Sequence, residues 1–275
     1  MSVERHLTLS IRRPGVGWNH AVVTMHVVTL RLTTAHVNIP GMTDKKPRKN
    51  IHRFRGVTSE DRRVQRRRML IDAGIEIFGT RGFHATTVKE ICAQAKLTER
   101  YFYESFANRE ALYAAVYEQM TGRLRDAMVA ALIKPEREVG ILARSALTTL
   151  FGAMRDDPRL VRILFVDVFT VSHDVNQLSM RTTRSFAELI KAMIEGLYPD
   201  PKRSSSDTFL IANGLLGALL NTIMHWAYNG YQESLDDVVR NNATLFEALG
   251  AHFETNAPTL AEKTKGKMTN KVRLP

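Results

Sequence analysis

The sequence contains a single cysteine, Cys92, among its 275 residues. One thiol cannot form an intramolecular disulfide, and it cannot build a zinc site from several cysteines. None of the nine histidines follows another at the four-residue spacing that places two imidazoles on one helix face. We therefore expect neither a metal site nor a disulfide framework, and a reducing, cytoplasmic compartment is the natural location.

The sequence also lacks long apolar runs and the motifs that many enzymes share. No stretch reaches the roughly eighteen uninterrupted apolar residues that a membrane-spanning helix needs. There is no Gly-rich phosphate loop, no Gly-x-Ser-x-Gly turn and no convincing Cys/His pair. These absences predict a protein that is not an enzyme, does not span a membrane and carries no cofactor.

Positive charge is concentrated at one end of the chain. The formal net charge is +11, and the hydrophobic content of 44% is typical of a globular protein. Residues 1–110 contain 20 Lys and Arg against 10 Asp and Glu, whereas the remainder contains 19 against 18. A positive field at one end favours a polyanionic partner. Nucleic acid is the first candidate, and an anionic membrane surface is the alternative.

The first 55 residues are predicted to form a flexible basic extension. Six basic residues lie between Thr43 and Arg55, directly after Met42. Two hypotheses are equally open: Met42 is the biological start, or the segment is a genuine basic arm that helps to hold DNA. A second flexible, basic segment is expected at residues 257–275.

A first amphipathic helix is predicted to begin at Ser59, a favourable N-cap residue. Leu70, Ala73, Ile77 and Phe78 have the spacing of one apolar helix face. Five arginines lie within seven residues on the solvent face of this helix. Their position directly before the motif described next favours contacts with phosphate. The five are Arg62, Arg63, Arg66, Arg67 and Arg68.

Two short helices with a tight turn between them are predicted next. Thr87 and Glu90 have the spacing of a capping box, which opens the first short helix. A three-residue turn begins at Lys96, and Thr98 caps the second short helix. Asn108 then caps a longer helix. A short helix, a tight turn and a second short helix are typical of a helix-turn-helix.

The segment from residue 82 to residue 112 has a specific residue pattern. It contains, in order, Gly-Phe, Thr-Thr-Val, Ile, Ala-Gln-Ala, Leu-Thr, Phe-Tyr-x-x-Phe and Arg-x-x-Leu. This pattern resembles the DNA-binding domain of the TetR (AcrR-like) family of transcriptional regulators. The resemblance implies an all-α fold, with an N-terminal three-helix helix-turn-helix domain at residues 56–110. A helical ligand-binding and dimerisation domain would then occupy residues 111–256.

Two residues depart from the pattern of that family. The family often has Gly where this chain has Lys96, so Lys96 is expected in the left-handed conformation, at a cost of about 1 kcal/mol. The family also often has a small residue where this chain has Arg100, which makes the target DNA sequence hard to infer by analogy. Cys92 stands where the resemblance suggests a small apolar residue, so a buried thiol is expected.

The predicted DNA contacts lie on and around the second short helix. Arg100 is the best candidate base reader, because a guanidinium can pair with O6 and N7 of guanine. Tyr101 offers its ring to a thymine methyl group, and by resemblance Tyr103 and Arg109 contact phosphate. The threonines before the first short helix lie at a helix amino terminus, which favours anions. The predicted set is Thr86, Thr87, Lys89, Thr98, Glu99, Arg100, Tyr101, Tyr103, Asn108 and Arg109.

Six further helices are predicted downstream, punctuated by Pro and Gly. By resemblance, the last two long helices form a four-helix interface between two copies of the chain, so a homodimer through about residues 206–254 is expected. Gly214, Gly217 and Ala218 lie on one side of the first of these helices, which permits close helix approach. The predicted helices cover about residues 108–133, 138–156, 158–169, 175–197, 206–229 and 234–254.

Polar and aromatic residues in these helices are candidates for binding an unknown small-molecule effector. Such side chains could orient a ligand in an apolar pocket. Each one taken alone is more often a core or interface residue than a ligand contact. The candidate set is Arg144, Phe165, Phe169, His173, Gln177, Asn221 and His225.

The sequence therefore predicts a DNA-binding transcriptional regulator. By resemblance it is a repressor that a small, lipophilic effector releases from a palindromic operator on double-stranded DNA. The open alternative is a helical interaction module whose basic arm binds RNA or lipid instead of duplex DNA.

Overall fold

A computed structural model describes residues 11–13, 16–19, 58–133, 138–200 and 202–255. Residues 1–65 and 66–275 form separate compact units. In the first unit, strands β1 (Ile11–Arg13) and β2 (Val16–Asn19) pair antiparallel. They lie within the extension predicted at residues 1–55, most of which falls outside the described residues. The proposed start at Met42 and the basic segment at residues 257–275 also fall outside them.

Helix α1 spans Ser59–Arg81. The predicted cap at Ser59 is wrong by one residue, because Thr58 precedes the helix and caps it. The Thr58 hydroxyl accepts a hydrogen bond from the Asp61 amide at 3.1 Å, and the Asp61 carboxylate accepts one from the Thr58 amide at 3.0 Å. These hydrogen bonds from Thr58 lower the pKa of Asp61. Both side chains of a capping box are therefore used at this end of α1.

The two short helices are α2 (Val88–Ala95) and α3 (Glu99–Ser105). The predicted capping box at Thr87 and Glu90 is confirmed, with both of its hydrogen bonds present. Lys96 adopts the predicted left-handed conformation, with φ of 54°. Thr98 is the N-cap of α3 as predicted, but its side chain makes no capping hydrogen bond.

Seven further helices and one π-helical turn complete the described fold, and the fold is all-α as predicted. Most of the predicted boundaries agree with the observed ones within three residues. The helix predicted at 158–169 is divided instead into two short helices around the π-helical turn. The elements are α4 (Arg109–Leu132), α5 (Val139–Asp156), α6 (Arg159–Val161), the π turn (Arg162–Asp167), α7 (Val168–Val171), α8 (His173–Leu197), α9 (Ser205–Tyr228) and α10 (Leu235–Thr255).

One hydrophobic core joins the helix-turn-helix to the helices that follow. Phe78 of α1 and Tyr113 of α4 are both fully buried, and their ring centroids are 5.3 Å apart. Helix α4 approaches α1 closely at Gly74, where an added Cβ would lie 2.9 Å from Val116 Cγ2. Because α4 packs directly on α1, a displacement of α4 would be transmitted to the helix-turn-helix.

Helix α9 is apolar and only partly covered. Among the described residues, it is the one helix long and apolar enough to cross a membrane by length and composition. Polar residues nevertheless interrupt its exposed face, including Asn213, Asn221 and His225. The neighbouring positions Gly214 and Gly217 are exposed as well, and a Cβ added at either would meet no atom within 4 Å. Small and amide residues on one face are typical of a contact between protein helices.

Candidate nucleic-acid interface

Helix α3 presents one polar face to solvent and packs its other face into the core. Phe102 is completely buried, whereas the adjacent Tyr103 is 58% exposed. Thr98, Glu99 and Arg100 at the amino-terminal end of α3 are all exposed. In a helix-turn-helix, this end of the second helix is the part that reaches base edges in the major groove.

A small charged network connects α1 to the exposed face of α3. The Arg66 guanidinium lies 4.3 Å from the centroid of the Tyr101 ring and 3.6 Å from the Glu104 carboxylate. The other oxygen of Glu104 accepts a hydrogen bond from Nε of Arg100 at 3.1 Å. The Arg100 side chain is 85% exposed. Glu104 therefore orients the predicted base reader while most of its guanidinium remains accessible.

Arg67 anchors the end of α3. Its guanidinium donates a hydrogen bond to the Ser105 carbonyl at 2.9 Å and lies 4.2 Å from the centroid of the Phe106 ring. The arginine run was predicted to face phosphate, but two of its members, Arg66 and Arg67, contact α3 instead. This structural use could not be predicted from the sequence, since the contacts of Arg66 and Arg67 with α3 join residues more than thirty positions apart.

Thr86 is wrong as a predicted DNA contact. Its side chain is fully buried, and its hydroxyl donates to the Gly82 carbonyl at 2.7 Å. Thr87 remains exposed, but its hydroxyl is used in the capping box with Glu90. The pKa of Glu90 is lowered by the hydrogen bonds from Thr87 and by the charge of Arg81. Lys89 is exposed on the same helix.

Arg109 and Asn108 lie at the start of α4. The Arg109 guanidinium donates to the carbonyls of Phe83 and Thr86, and it lies 4.8 Å from the centroid of the Phe83 ring. The side chain of Asn108 accepts a hydrogen bond from the Ala111 amide at 2.8 Å, which confirms the predicted cap. Arg109 therefore joins α4 to the segment that leads into α2, and its contact with phosphate stays a prediction.

An apolar cavity lies between α4, α5, the π turn, α8 and α9. Its interior volume is about 60 Å³. Four hydroxyl-bearing residues supply its polar lining, and no formally charged residue lines it. The hydroxyl residues are Tyr117, Thr121, Thr182 and Thr183, and the others are Leu124, Met128, Leu150, Leu164, Phe165, Phe186, Leu189, Ile190, Leu216, Leu219 and Leu220.

The hydroxyl of Tyr117 is the most deeply placed polar group in the cavity wall. Tyr117 is 3% exposed, and its hydroxyl donates to the hydroxyl of Ser179 at 3.3 Å. Burial raises the pKa of Tyr117, so its hydroxyl stays protonated at neutral pH. Among the described residues, no group of three or more His, Cys, Asp or Glu side chains is arranged to hold a metal ion.

Of the seven residues predicted to bind the effector, Phe165 lines this cavity and the other six lie outside its lining. Arg144 pairs with Glu247 at 2.8 Å across α5 and α10. His173 and Gln177 are hydrogen-bonded to each other on the surface of α8. The remaining three, Phe169, Asn221 and His225, are exposed. The hydroxyl residues of α4 and α8 were missed, because nothing local in the sequence separates them from surface threonines.

The exposed face of α3, the buried three-helix core beneath it and the cavity behind it define a helix-turn-helix protein with a cavity-containing helical domain. Residues 70–116 match the family described as "Bacterial regulatory proteins, tetR family". The HTH-type transcriptional regulator BetI of Rhizobium meliloti is 33% identical over 157 residues, which cover 54% of this chain and 75% of that relative. The chain belongs to the TetR family of transcriptional regulators.

Other relatives are more distant in sequence but similar in extent. The HTH-type transcriptional activator FasR of Mycolicibacterium smegmatis is 23% identical over 64% of this chain and 79% of its own length. The crystal structure of a transcriptional regulator FadR from Bacillus subtilis in complex with stearoyl-CoA superimposes with a TM-score of 0.57. It shares 16% identity and covers 65% of this chain and 96% of that chain. At this identity, the superposition supports the fold alone.

Proposed function

We propose that this protein is a cytoplasmic, homodimeric repressor that binds a palindromic operator and is released from it by a small, lipophilic effector. The observation that carries the proposal is the pairing, in one chain, of an exposed polar recognition helix with an uncharged apolar cavity. The first suits the edges of DNA bases, and the second suits a hydrocarbon group.

Arg100 is the proposed specificity residue. Its exposed guanidinium can donate two hydrogen bonds to one guanine, once it shares or leaves the hydrogen bond to Glu104. Thr98, Glu99, Tyr101 and Tyr103 surround it on the same helix. The Arg66 guanidinium packs on the Tyr101 ring. Because this contact already restricts the Tyr101 side chain, DNA binding costs less conformational entropy.

The proposed effector has an apolar part and an uncharged polar group. Burying an ion in a cavity that offers no opposite charge is strongly unfavourable, so any charged group of the ligand must stay at the mouth. The Tyr117 hydroxyl can donate to a carbonyl or hydroxyl group of the ligand when it releases Ser179. The FadR structure bound to stearoyl-CoA makes acyl compounds the first class to test.

The proposed dimer uses the uncovered faces of α9 and α10. Helix α9 has one formally charged residue, Asp207, and it exposes Leu210 and Gly217. Helix α10 exposes Leu245. A second copy that covers these faces would remove apolar surface from water and place two recognition helices for a two-fold operator.

Release is proposed to follow a shift of α4. Tyr117, Thr121 and Leu124 of this helix line the cavity, and its first residue, Arg109, holds the segment before α2. A ligand that binds better when α4 has moved would change the spacing of the two recognition helices.

The decisive experiment measures binding of the full chain to duplex DNA from upstream of its own gene. We expect competition by a palindromic duplex far above that by single strands, RNA or anionic vesicles, and a steep loss of affinity with salt. Equal competition by all four would favour the alternative of a basic RNA-binding or lipid-binding module.

The same assay tests the effector and the sign of regulation. Stearate and stearoyl-CoA are added, with coenzyme A alone as the control for the anionic head group. Weaker DNA binding with the acyl compounds supports effector release. Since FasR is named an activator, a reporter gene behind the bound DNA decides between repression and activation; higher expression in the deletion strain is expected for a repressor.

A further inference from the structure

Two side chains of the helical domain hold the segment that leads from α1 into α2: the Asp167 carboxylate and the Thr170 hydroxyl, which lies 3.1 Å from Nε2 of His84. The amide of Phe83 donates a hydrogen bond to Asp167 Oδ2 at 2.9 Å. Gly82 has φ of +88°, and an added Cβ there would lie 3.1 Å from Arg162 Nη1 and 3.3 Å from Asp167 Oδ2. A side chain at Gly82 would therefore crowd the ends of Arg162 and Asp167, and the positive φ already disfavours any residue other than glycine.

Asp167 is the last residue of the π turn, and the same turn forms part of the cavity wall. Leu164 and Phe165 line the cavity. The turn is also bonded to α4, because the carbonyl of Ile163 accepts a hydrogen bond from the hydroxyl of Tyr113 at 2.6 Å. Within this six-residue turn, Leu164 and Phe165 line the cavity, and Asp167 contacts the segment before α2.

A π turn is a natural place for such a connection. It holds more residues per turn than an α-helix, its hydrogen bonding is less favourable, and such turns occur frequently at functional sites. A change of this turn toward α-helical hydrogen bonding would shift the residues that follow. Asp167 would move, and Phe83 would move with it.

We propose that Asp167 couples the occupancy of the cavity to the position of the helix-turn-helix. An occupant that presses on Leu164 and Phe165 displaces the π turn, and the hydrogen bond from Asp167 to Phe83 carries this displacement to the segment before α2. The inference rests on the proposed function, and it adds a second connection to the one through α4 and Arg109.

The test uses a substitution that fills the cavity, so that it does not depend on an identified effector. Thr183 is a half-buried lining residue of α8, and Thr183→Phe adds a ring toward the cavity. Affinity for the upstream DNA is measured for the wild type, Thr183→Phe, Asp167→Ala and the double variant. The four values form a double-mutant cycle, and circular dichroism checks that each variant is folded.

We expect Thr183→Phe to weaken DNA binding about 10-fold, within the usual range of coupling between two sites. In the Asp167→Ala background, the same substitution should change affinity less than about 3-fold. Asp167→Asn should restore most of the effect, because its amide oxygen can still accept from Phe83. Asp174→Ala, an exposed carboxylate of α8, is the matched control and should leave the 10-fold effect in place.

Three results would contradict different parts of the argument for Asp167. Equal effects of Thr183→Phe with and without Asp167 would overturn the coupling role of Asp167. No effect of Thr183→Phe in the wild type would overturn it as well, since filling the cavity would then not reach the helix-turn-helix. A wild-type chain that does not bind DNA would instead contradict the proposed function itself.

Discussion

Helices α3 and α9 both present exposed faces, and the two faces are built from opposite kinds of side chain. The face of α3 carries long polar residues, among them Arg100, which is held by Glu104. The face of α9 carries small and amide residues, with open space above Gly214 and Gly217. The first can meet a polyanion through water and direct hydrogen bonds, whereas the second needs a protein surface to cover it.

Substitutions on the exposed faces of α3 and α9 should therefore have different consequences. On α3, a change removes a specific contact and leaves the assembly intact. On α9, under the proposed dimer, a change of size should prevent the assembly and thereby remove one of two DNA-binding units. The substitutions that test this contrast therefore differ in expected magnitude.

The largest effect is expected for Gly217→Arg. Because a Cβ at this position meets no atom within 4 Å in the single chain, the variant should fold normally, while the arginine blocks the α9 face. We expect a monomer in size-exclusion chromatography with light scattering. DNA affinity should fall roughly 100-fold or more, because two linked half-site contacts become one.

Gly122→Arg in α4 is the matched control for this variant. A Cβ at Gly122 also meets no atom within 4 Å, but the residue lies outside α9 and α10. It should remain dimeric. A Gly217→Arg protein that stays dimeric would show that the dimer interface does not include this face of α9.

The helix-turn-helix and the cavity differ in how much of each could be predicted from the sequence. The capping box of Thr87 and Glu90 and the left-handed Lys96 were predictable, because both depend on residues a few positions apart. Thr86 and Arg109 were not, because their inward orientation depends on the Gly82 and Phe83 carbonyls in the folded state. A sequence pattern alone cannot separate a threonine that faces DNA from its buried neighbour.

The cavity could be predicted even less. Its hydroxyl groups come from α4 and α8, and Tyr117 and Thr182 are brought together only by the packing of those helices. The predicted ligand residues were chosen as polar or aromatic residues within apolar helices, and the polar ones lie on the outer surface, as Asn221 does. Phe165 was the exception, because it follows the fully buried Ile163 and Leu164 in the π turn.

The second largest effect is expected for Arg109→Ala. This change leaves the carbonyls of Phe83 and Thr86 without the guanidinium donor, and it removes the contact with the Phe83 ring. We expect the free energy of unfolding to fall by about 1–3 kcal/mol, with weaker binding to all DNA sequences. Chemical denaturation of the variant and the wild type gives the first value, and binding to several duplexes gives the second.

A direct phosphate contact predicts a different pattern for Arg109. The variant would then keep the stability of the wild type, and the slope of log affinity against log salt concentration would decrease in magnitude by about 1. Arg125→Ala, an exposed arginine of the same helix, should change neither stability nor base preference.

A smaller and more local effect is expected for Arg100→Ala. Under the proposal that Arg100 reads a base edge, its loss should reduce discrimination at one operator position by about 1–3 kcal/mol. The reduction should be confined to that position, with the fold and the dimer unchanged. Binding to a library of operator variants measures this, and a uniform loss across all positions would make Arg100 a phosphate contact.

The smallest effect is expected inside the cavity, for Tyr117→Phe. The substitution removes one hydroxyl and leaves Ser179 without the hydrogen bond that it accepts at 3.3 Å. We expect a loss of about 0.5–1.5 kcal/mol in the free energy of unfolding, while DNA affinity without effector stays unchanged. Tyr228→Phe is the matched control, since Tyr228 is 86% exposed. A loss of DNA affinity in Tyr117→Phe would mean that the hydroxyl supports the DNA-binding conformation itself, so that the cavity and α3 are coupled even when no effector is bound.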